Sequence, residues 1–212
     1  MTKQEVRKQI KEKLSSISAR ELEASSEKLC NLIIHSKAYK DCSILLAYMP
    51  LGDEVNITPV IEDALSQNKS VYLPRIIPGT NQMDFYRYTT TTYSAAGTYG
   101  IIEPEQDETR NLLRHLEVDP PLSGQIFMLV PGRAFTKEGK RLGRGKGFYD
   151  IYFSRLAALG FSEGIKKSGV CFACQLLADL PTTPDDVLMD TVVSTPSTSS
   201  GTATTAHTIS GE

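Results

Sequence analysis

No stretch of this sequence stays apolar for the length that a membrane span needs. Its N-terminus carries no apolar run of the kind that opens a secretory signal. The expectation is a soluble, cytoplasmic protein. A strong charge of one sign is also lacking: 23 Lys and Arg against 25 Asp and Glu leave a formal net charge of −2. That balance gives no reason to expect nucleic acid as a partner. Four cysteines in 212 residues do not make a disulfide scaffold. Cys171 and Cys174 form a Cys-x-x-Cys, but Cys30 and Cys42 supply no second pair and the three histidines are scattered. Core cysteines are therefore a better reading than a zinc or redox site. No Ser/His/Asp or Cys/His arrangement for nucleophilic catalysis is visible. A monomer is the expectation.

What is present is an alternation of helical and strand patterns. Thr2 with Glu5, and Ser18 with Glu21, have capping-box spacing. Val6, Ile10, Leu14 and Ile17 then share one helical face, as do Leu22, Leu29, Leu32 and Ile33 in a second helix ending near His35. Ser43–Met49 reads as a buried strand ended by Pro50, Gly52 and Asp53. Thr58-Pro59 starts a helix with proline at its first position, and Ser70–Leu73 is the next strand. Met83–Tyr88 alternates and reads as a strand, with antiparallel pairing expected. Pro104 holds Glu103 extended, and Glu103 could fix a loop or face a ligand, with the loop favoured. Glu108–Leu116 is expected to be one short helix, stopped by Pro120-Pro121. Ile126–Val130 is a continuous apolar strand. A helix follows from Ile151 to about Leu159, then strands at Gly169–Ala173 and Thr191–Ser194. The pattern predicts a single-domain α/β protein, a three-layer sandwich with a parallel-rich mixed sheet flanked by helices. The domain is expected over 1–194. Residues 195–212 are rich in Ser, Thr, Gly and Ala and are expected to form a disordered low-complexity tail.

The densest chemistry lies between the Ile126–Val130 strand and the Ile151 helix, in PGRAFTKEGKRLGRGKGFYD from Pro131 to Asp150. Gly132, Gly139, Gly143, Gly145 and Gly147 alternate there with Lys137, Lys140, Arg141, Arg144 and Lys146. Glycine permits a close backbone approach to a ligand. Cations and the free N–H groups of a helix start would then face the same anion. A flexible basic surface loop is the plain alternative, and the density of both residue types favours the phosphate cradle. It is not the common P-loop: no Ser or Thr follows Lys146, and no glycine stands five residues before Gly145-Lys146. It is not the dinucleotide fingerprint either, which holds its pyrophosphate by backbone alone.

The pattern Pro-Gly-x-x-Phe, then Gly-x-Arg-Leu-Gly-Arg-Gly-Lys-Gly, then aromatic-Tyr-Asp resembles the signature of the 5-formyltetrahydrofolate cyclo-ligase family, also called methenyltetrahydrofolate synthetases. Tyr99-Gly100-Ile101-Ile102-Glu103-Pro104 resembles a second family stretch, and the similarity spans roughly residues 3 to 194. It implies a Rossmann-like fold of the kind found in CoA-transferases. It also implies an ATP- and magnesium-dependent conversion of 5-formyltetrahydrofolate, in some cases polyglutamylated, to 5,10-methenyltetrahydrofolate with release of ADP and phosphate. By the same resemblance Lys3, Arg7, Gly139, Arg141, Leu142, Gly143, Arg144, Gly145, Lys146, Gly147, Phe148 and Tyr149 bind ATP. Met49, Pro50, Glu54 and Met83 join Arg144 to Phe148 around the folate. Asp150 and Asp186 serve magnesium, and Gln175 matches a family glutamine. Arg144 and Lys146 are the expected catalytic cations. On chemistry alone, Lys3 and Arg7 would be surface cations and Glu54 a solvated loop carboxylate.

Two positions depart from the family pattern. Thr136 stands where the family usually has Asp, and Phe148 where it usually has Tyr. Both favour the alternative that the chain is a non-catalytic relative, binding nucleotide or RNA through its basic loop. Glu54, Asp150 and Asp186 argue for the enzyme.

Overall fold

Ile44–Leu46 (β1) lies inside a six-stranded sheet, with Ser70–Ile76 (β2) parallel on one side and Ile126–Pro131 (β6) parallel on the other. Beyond β2 comes Met83–Tyr88 (β3), the antiparallel edge strand. Beyond β6 come Ile165–Cys171 (β9) and Thr191–Ser194 (β10), both parallel. The order is β10-β9-β6-β1-β2-β3. Ser94–Ala96 (β4) pairs with Ile102–Pro104 (β5), and Ala134–Phe135 (β7) with Arg141–Leu142 (β8), as two short antiparallel ribbons outside the sheet. This computed structural model describes residues 1–90, 94–96, 102–118, 125–184 and 186–195. Tyr99 to Ile101, Pro120-Pro121, Asp185 and the tail from 196 lie outside the described residues.

Helices cover both faces. Lys3–Ser15 (α1), Ala19–His35 (α2), Lys37–Asp41 (α3) and Thr58–Ser66 (α4) pack on one face, against Leu45, Val71, Phe127 and Leu129. Leu112–Val118 (α5) and Phe148–Ala158 (α6) pack on the other, against Ile44, Leu46, Ile126, Met128 and Val130. Successive side chains of a strand point to opposite faces, so a strand covered on both sides must be apolar throughout. Ile126 to Val130 are accordingly all buried. Each such side chain contributes about 1.5–3 kcal/mol.

Both capping boxes form as their spacing predicts, at Thr2–Glu5 and Ser18–Glu21. Several boundaries differ from expectation. Leu32 is exposed, and Cys30 takes its place on the buried stripe of α2. α4 begins at Thr58 itself, with the Asn56 Oδ1 accepting the Thr58 N–H at 3.2 Å. Pro59 therefore takes its second position. β2 runs on through Pro74 to Ile76 because β3 pairs with it along its whole length. The single helix expected over 108–116 is broken: a 3₁₀ turn at Glu108–Arg110 precedes α5. Between them Asn111 is extended and bridges to Tyr86, and its Oδ1 accepts the Leu113 N–H at 2.9 Å. α6 starts three residues before Ile151, at Phe148. β9 starts at Ile165 rather than Gly169, because it pairs with β6 in parallel from Ile126 opposite Ile165 onward.

Candidate active site

From β1 the chain crosses to β2 on one side, while β6 leads to β9 on the other. The carboxyl ends of β1 and β6 therefore diverge, and a crevice opens where the winding reverses. A cavity of about 390 Å³ occupies this place. Its apolar wall is made by Tyr48, Met49 and Leu51 after β1, by Pro74 and Ile76 of β2, by Met83 of β3, and by Phe148. Its other side is formed by Gly143, Arg144, Lys146 and Gly147 with the first turn of α6.

The loop that carries those cations is anchored by the β7–β8 hairpin. Thr136 closes it: its N–H donates to the Lys140 carbonyl at 3.0 Å and its hydroxyl accepts the Lys140 N–H at 3.3 Å. The hydroxyl thus holds the turn, as a carboxylate acceptor at this position could. Gly139 in the turn has φ +88°, and a Cβ there would lie 2.1 Å from the Met189 carbonyl oxygen. No other residue fits. Gly147, at φ +74°, is the N-cap of α6 and supplies no side-chain cap. The first-turn N–H groups are left for another acceptor, and Phe148, Tyr149 and Asp150 of that turn line the cavity. Below the loop, Gln175 is buried and donates from Nε2 to the Gly132 carbonyl at 2.9 Å and the Arg133 carbonyl at 3.2 Å.

Ion pairs tie the loop to the segment after β1. Arg144 donates from Nε to Glu54 Oε1 at 2.8 Å, and a second nitrogen pairs with Asp53. The other oxygen of Asp53 takes Arg133. Burial raises the Asp53 carboxyl, but the hydrogen bonds from Arg144 and Arg133 outweigh it and hold the group below the usual carboxylate range. Glu54 is fixed further by the Leu51 N–H, at 3.0 Å from its Oε2. Arg141 is buried; it meets Asp150 Oδ1 at 2.8 Å and lies over the Tyr149 ring at 5.3 Å. Its Nε and the Tyr149 hydroxyl are sealed from solvent without a partner among the described residues. Lys146 lines the cavity and pairs with no carboxylate among the described residues. Lys140, in the same basic segment, is instead bound outward to Asp179 at 2.6 Å.

Of the remaining expected site residues, Arg7 donates to the Gly143 carbonyl at 2.9 Å and lines a basic cleft beside the cavity with Lys8, Lys11, Arg133 and Arg144. Lys3 is held by Asp186 at 2.6 Å. Pro50, Gly139, Leu142 and Gly145 do not line the cavity, and Leu142 belongs to the core. Among the described residues no group of three or more His, Cys, Asp or Glu side chains is placed to hold a metal ion. Asp150 lines the cavity, whereas Asp186 lies outside its lining. The Lys3 ammonium and the Thr183 N–H hold the Asp186 carboxyl below its usual range, against the opposing effect of burial. All four cysteines are free. Sequence reasoning passes over two residues that the fold brings in: Asp53 reads there only as a strand stop, and Arg133 has no assigned role. Glu103, for which the loop role is favoured over a ligand-facing one, lines the cavity.

The cavity sets an apolar slot beside a cationic, glycine-built loop. The sequence model described as the 5-formyltetrahydrofolate cyclo-ligase family matches residues 1–195, and the chain belongs to that family. A Caenorhabditis elegans protein bearing the same family name is 29% identical over 194 residues, covering 90% of this chain and 91% of its own length. The mouse 5-formyltetrahydrofolate cyclo-ligase is 28% identical over 196 residues, covering 90% and 92%. The solved structure of Aquifex aeolicus 5,10-methenyltetrahydrofolate synthetase superimposes with a TM-score of 0.72 at 30% identity, covering 98% of both chains. The sheet and its flanking helices are those of that fold.

Proposed function

We propose that this chain is an ATP-dependent 5-formyltetrahydrofolate cyclo-ligase. The observation that carries this reading is a cavity with an apolar wall on one side and Gly143, Arg144, Lys146 and Gly147 on the other, at the carboxyl ends of β1 and β6. Family membership supports the same reaction. The formyl oxygen of the substrate takes the γ-phosphoryl group of ATP, and ADP leaves. The N10 nitrogen then attacks the activated formyl carbon. Loss of the former formyl oxygen as phosphate leaves the 5,10-methenyl product.

The protein needs no nucleophile for this; it needs position and charge. Met49, Met83 and Phe148 wall the reduced pterin. Phe148 offers a ring face where the family's usual Tyr would add a hydroxyl. Glu54, fixed by Arg144 and the Leu51 N–H, orients the folate. Lys146 and Arg144 face the negative charge of the moving phosphoryl group. Arg7, Arg141 and the α6 N-terminus hold the other phosphates, and Lys3 supports them from the α1 start. The unpartnered Arg141 Nε and Tyr149 hydroxyl suit an oxygen-rich ligand. Magnesium keeps several waters and takes only one or two carboxylates beside phosphate oxygens. Asp150 and Asp186 would hold it, and it would neutralise phosphate charge. The chain would act on its small-molecule substrates without nucleic acid or a membrane. Among the described residues no helix is long and apolar enough to cross one. The test is to mix purified protein with ATP, magnesium and 5-formyltetrahydrofolate and follow methenyltetrahydrofolate absorbance. ATP-dependent product formation is expected. Its absence, with nucleotide still bound, would sink the reading.

A further inference from the structure

Glu103 is 3% exposed, yet among the described residues its carboxylate makes no hydrogen bond and no ion pair. A buried carboxylate without partners is costly unless a ligand supplies them. The space it borders is the cavity. The backbone around it is tied down: Glu103 pairs with Ala95 across the β4–β5 ribbon, and Arg75 donates to the Pro104 carbonyl at 2.7 Å. That bond fixes β5 to β2. Glu103 therefore enters from the β2 side of the cavity, beside Pro74 and Ile76. The glycine loop enters from the β6 side. β2 and β6 are separated by β1, so the two sides stand about 10 Å apart at the usual strand spacing.

We propose that Glu103 is a specificity residue that reads the donor edge of the substrate's heterocycle. This rests on the function proposed above. A 2-amino-4-oxo pterin carries an N–H and an amino group side by side. A carboxylate can accept both hydrogen bonds at once. Apolar walls at Pro74, Ile76 and Met83 suit the ring faces, and the carboxylate supplies the direction. Clamping this edge near β2 leaves the formyl-bearing side of the ring toward Arg144 and Lys146. A heterocycle lacking the amino group would leave half of the carboxylate unpaired, and would be rejected for that reason.

The experiment is Glu103→Gln, which keeps shape but turns one acceptor into a donor facing a donor. Titration calorimetry with 5-formyltetrahydrofolate, and with its 2-desamino analogue, reads the clamp directly and needs no turnover. Binding of 5-formyltetrahydrofolate is expected to weaken by about 10- to 100-fold. Discrimination against the 2-desamino analogue should collapse, ATP binding should be unchanged, and Tm should be unchanged or higher. Glu103→Asp, with the charge kept, should recover part of the affinity. If the glutamine variant binds 5-formyltetrahydrofolate as the parent does, or keeps the discrimination, or melts lower with both ligands weakened alike, the assignment is wrong. If the parent binds 5-formyltetrahydrofolate and discriminates but forms no product, the reaction reading fails while this one stands. A parent that does not bind 5-formyltetrahydrofolate overturns both.

Discussion

Arg144 and Glu54 are 90 residues apart in sequence, and the Arg144 Nε meets Glu54 Oε1 at 2.8 Å. The contact joins the glycine loop after β8 to the segment after β1, so the two strand ends that frame the cavity are cross-braced. It also sets the cations of the basic stretch apart: Arg144 is braced, Arg141 is buried on Asp150, Lys140 points outward, and Lys146 faces the cavity with no carboxylate partner among the described residues.

That separation gives the sharpest prediction. Lys146→Met removes the charge that faces the cavity and keeps much of the stem. Loss of one preorganised charge contact typically costs about two to three orders of magnitude in turnover. Lys140→Met breaks only the exposed pair with Asp179, and solvent screens such pairs. Turnover and Tm of both variants beside the parent decide it. Equal losses would mean that the stretch acts as a diffuse positive field.

Asp53 should contribute to acid stability. Its carboxyl sits below the ordinary value of 3.8 in the folded protein because of Arg144 and Arg133. A depressed carboxyl stabilises fully above the unfolded-state value, and the contribution disappears as pH falls through the folded-state value. Asp53→Asn is expected to lower stability at neutral pH by about 1 kcal/mol or less, since the side chain is partly solvated. The difference from the parent should shrink in urea titrations as pH falls below the ordinary carboxylate range, and disappear once pH is below the depressed folded-state value. A difference that persists in acid would assign the effect to packing.

At Gly139 the left-handed backbone and the Met189 carbonyl both oppose a side chain. Gly139→Ala is expected to cost about 2 kcal/mol or more, which is a fall of about 4–8 °C in Tm. Gly164, with open space around it, is the control. Its alanine variant should melt with the parent.

Burial pushes the Cys171 and Cys174 thiols up from their ordinary value, and likewise Cys30, to about 11. At neutral pH almost no thiolate is present. Iodoacetamide should therefore label the native protein slowly and the urea-unfolded protein fast, and the purified protein should carry no stoichiometric zinc. Rapid native labelling of Cys174 would mark it as reactive.

Removing everything after Ser194 is expected to leave Tm and turnover unchanged, because the composition of the tail offers little apolar area to bury. A lower Tm on truncation would mean that it docks on the body.

What could be read from the chain beforehand was whatever has a local signature. The Ile126–Val130 run, the two capping boxes and the glycine loop each declare themselves within a few residues. The helix over 108–116 was misread because Asn111 pairs with Tyr86, a contact with no trace in the local pattern. Asp53 and Arg133 escaped notice for the same reason: they are 80 residues apart, and a carboxylate after a turn looks like any other. Glu103 stays open between a loop and a cavity wall in the sequence, because an extended residue before proline suits both. Only the placement of β5 against β2 distinguishes the two. Lys3 and Arg7 would have passed for surface charges without the family resemblance.

The carboxylates that brace Arg144 are also internal rivals for any anion that approaches it. A chloride ion offers one charge and no fixed geometry, and gains little by displacing a two-point partner. A polyphosphate can trade several oxygens at once for the bonds to Asp53 and Glu54. On the proposed function, Arg144 would be an exchange point with a built-in threshold, insulated from the salt around it and responsive to multidentate anions.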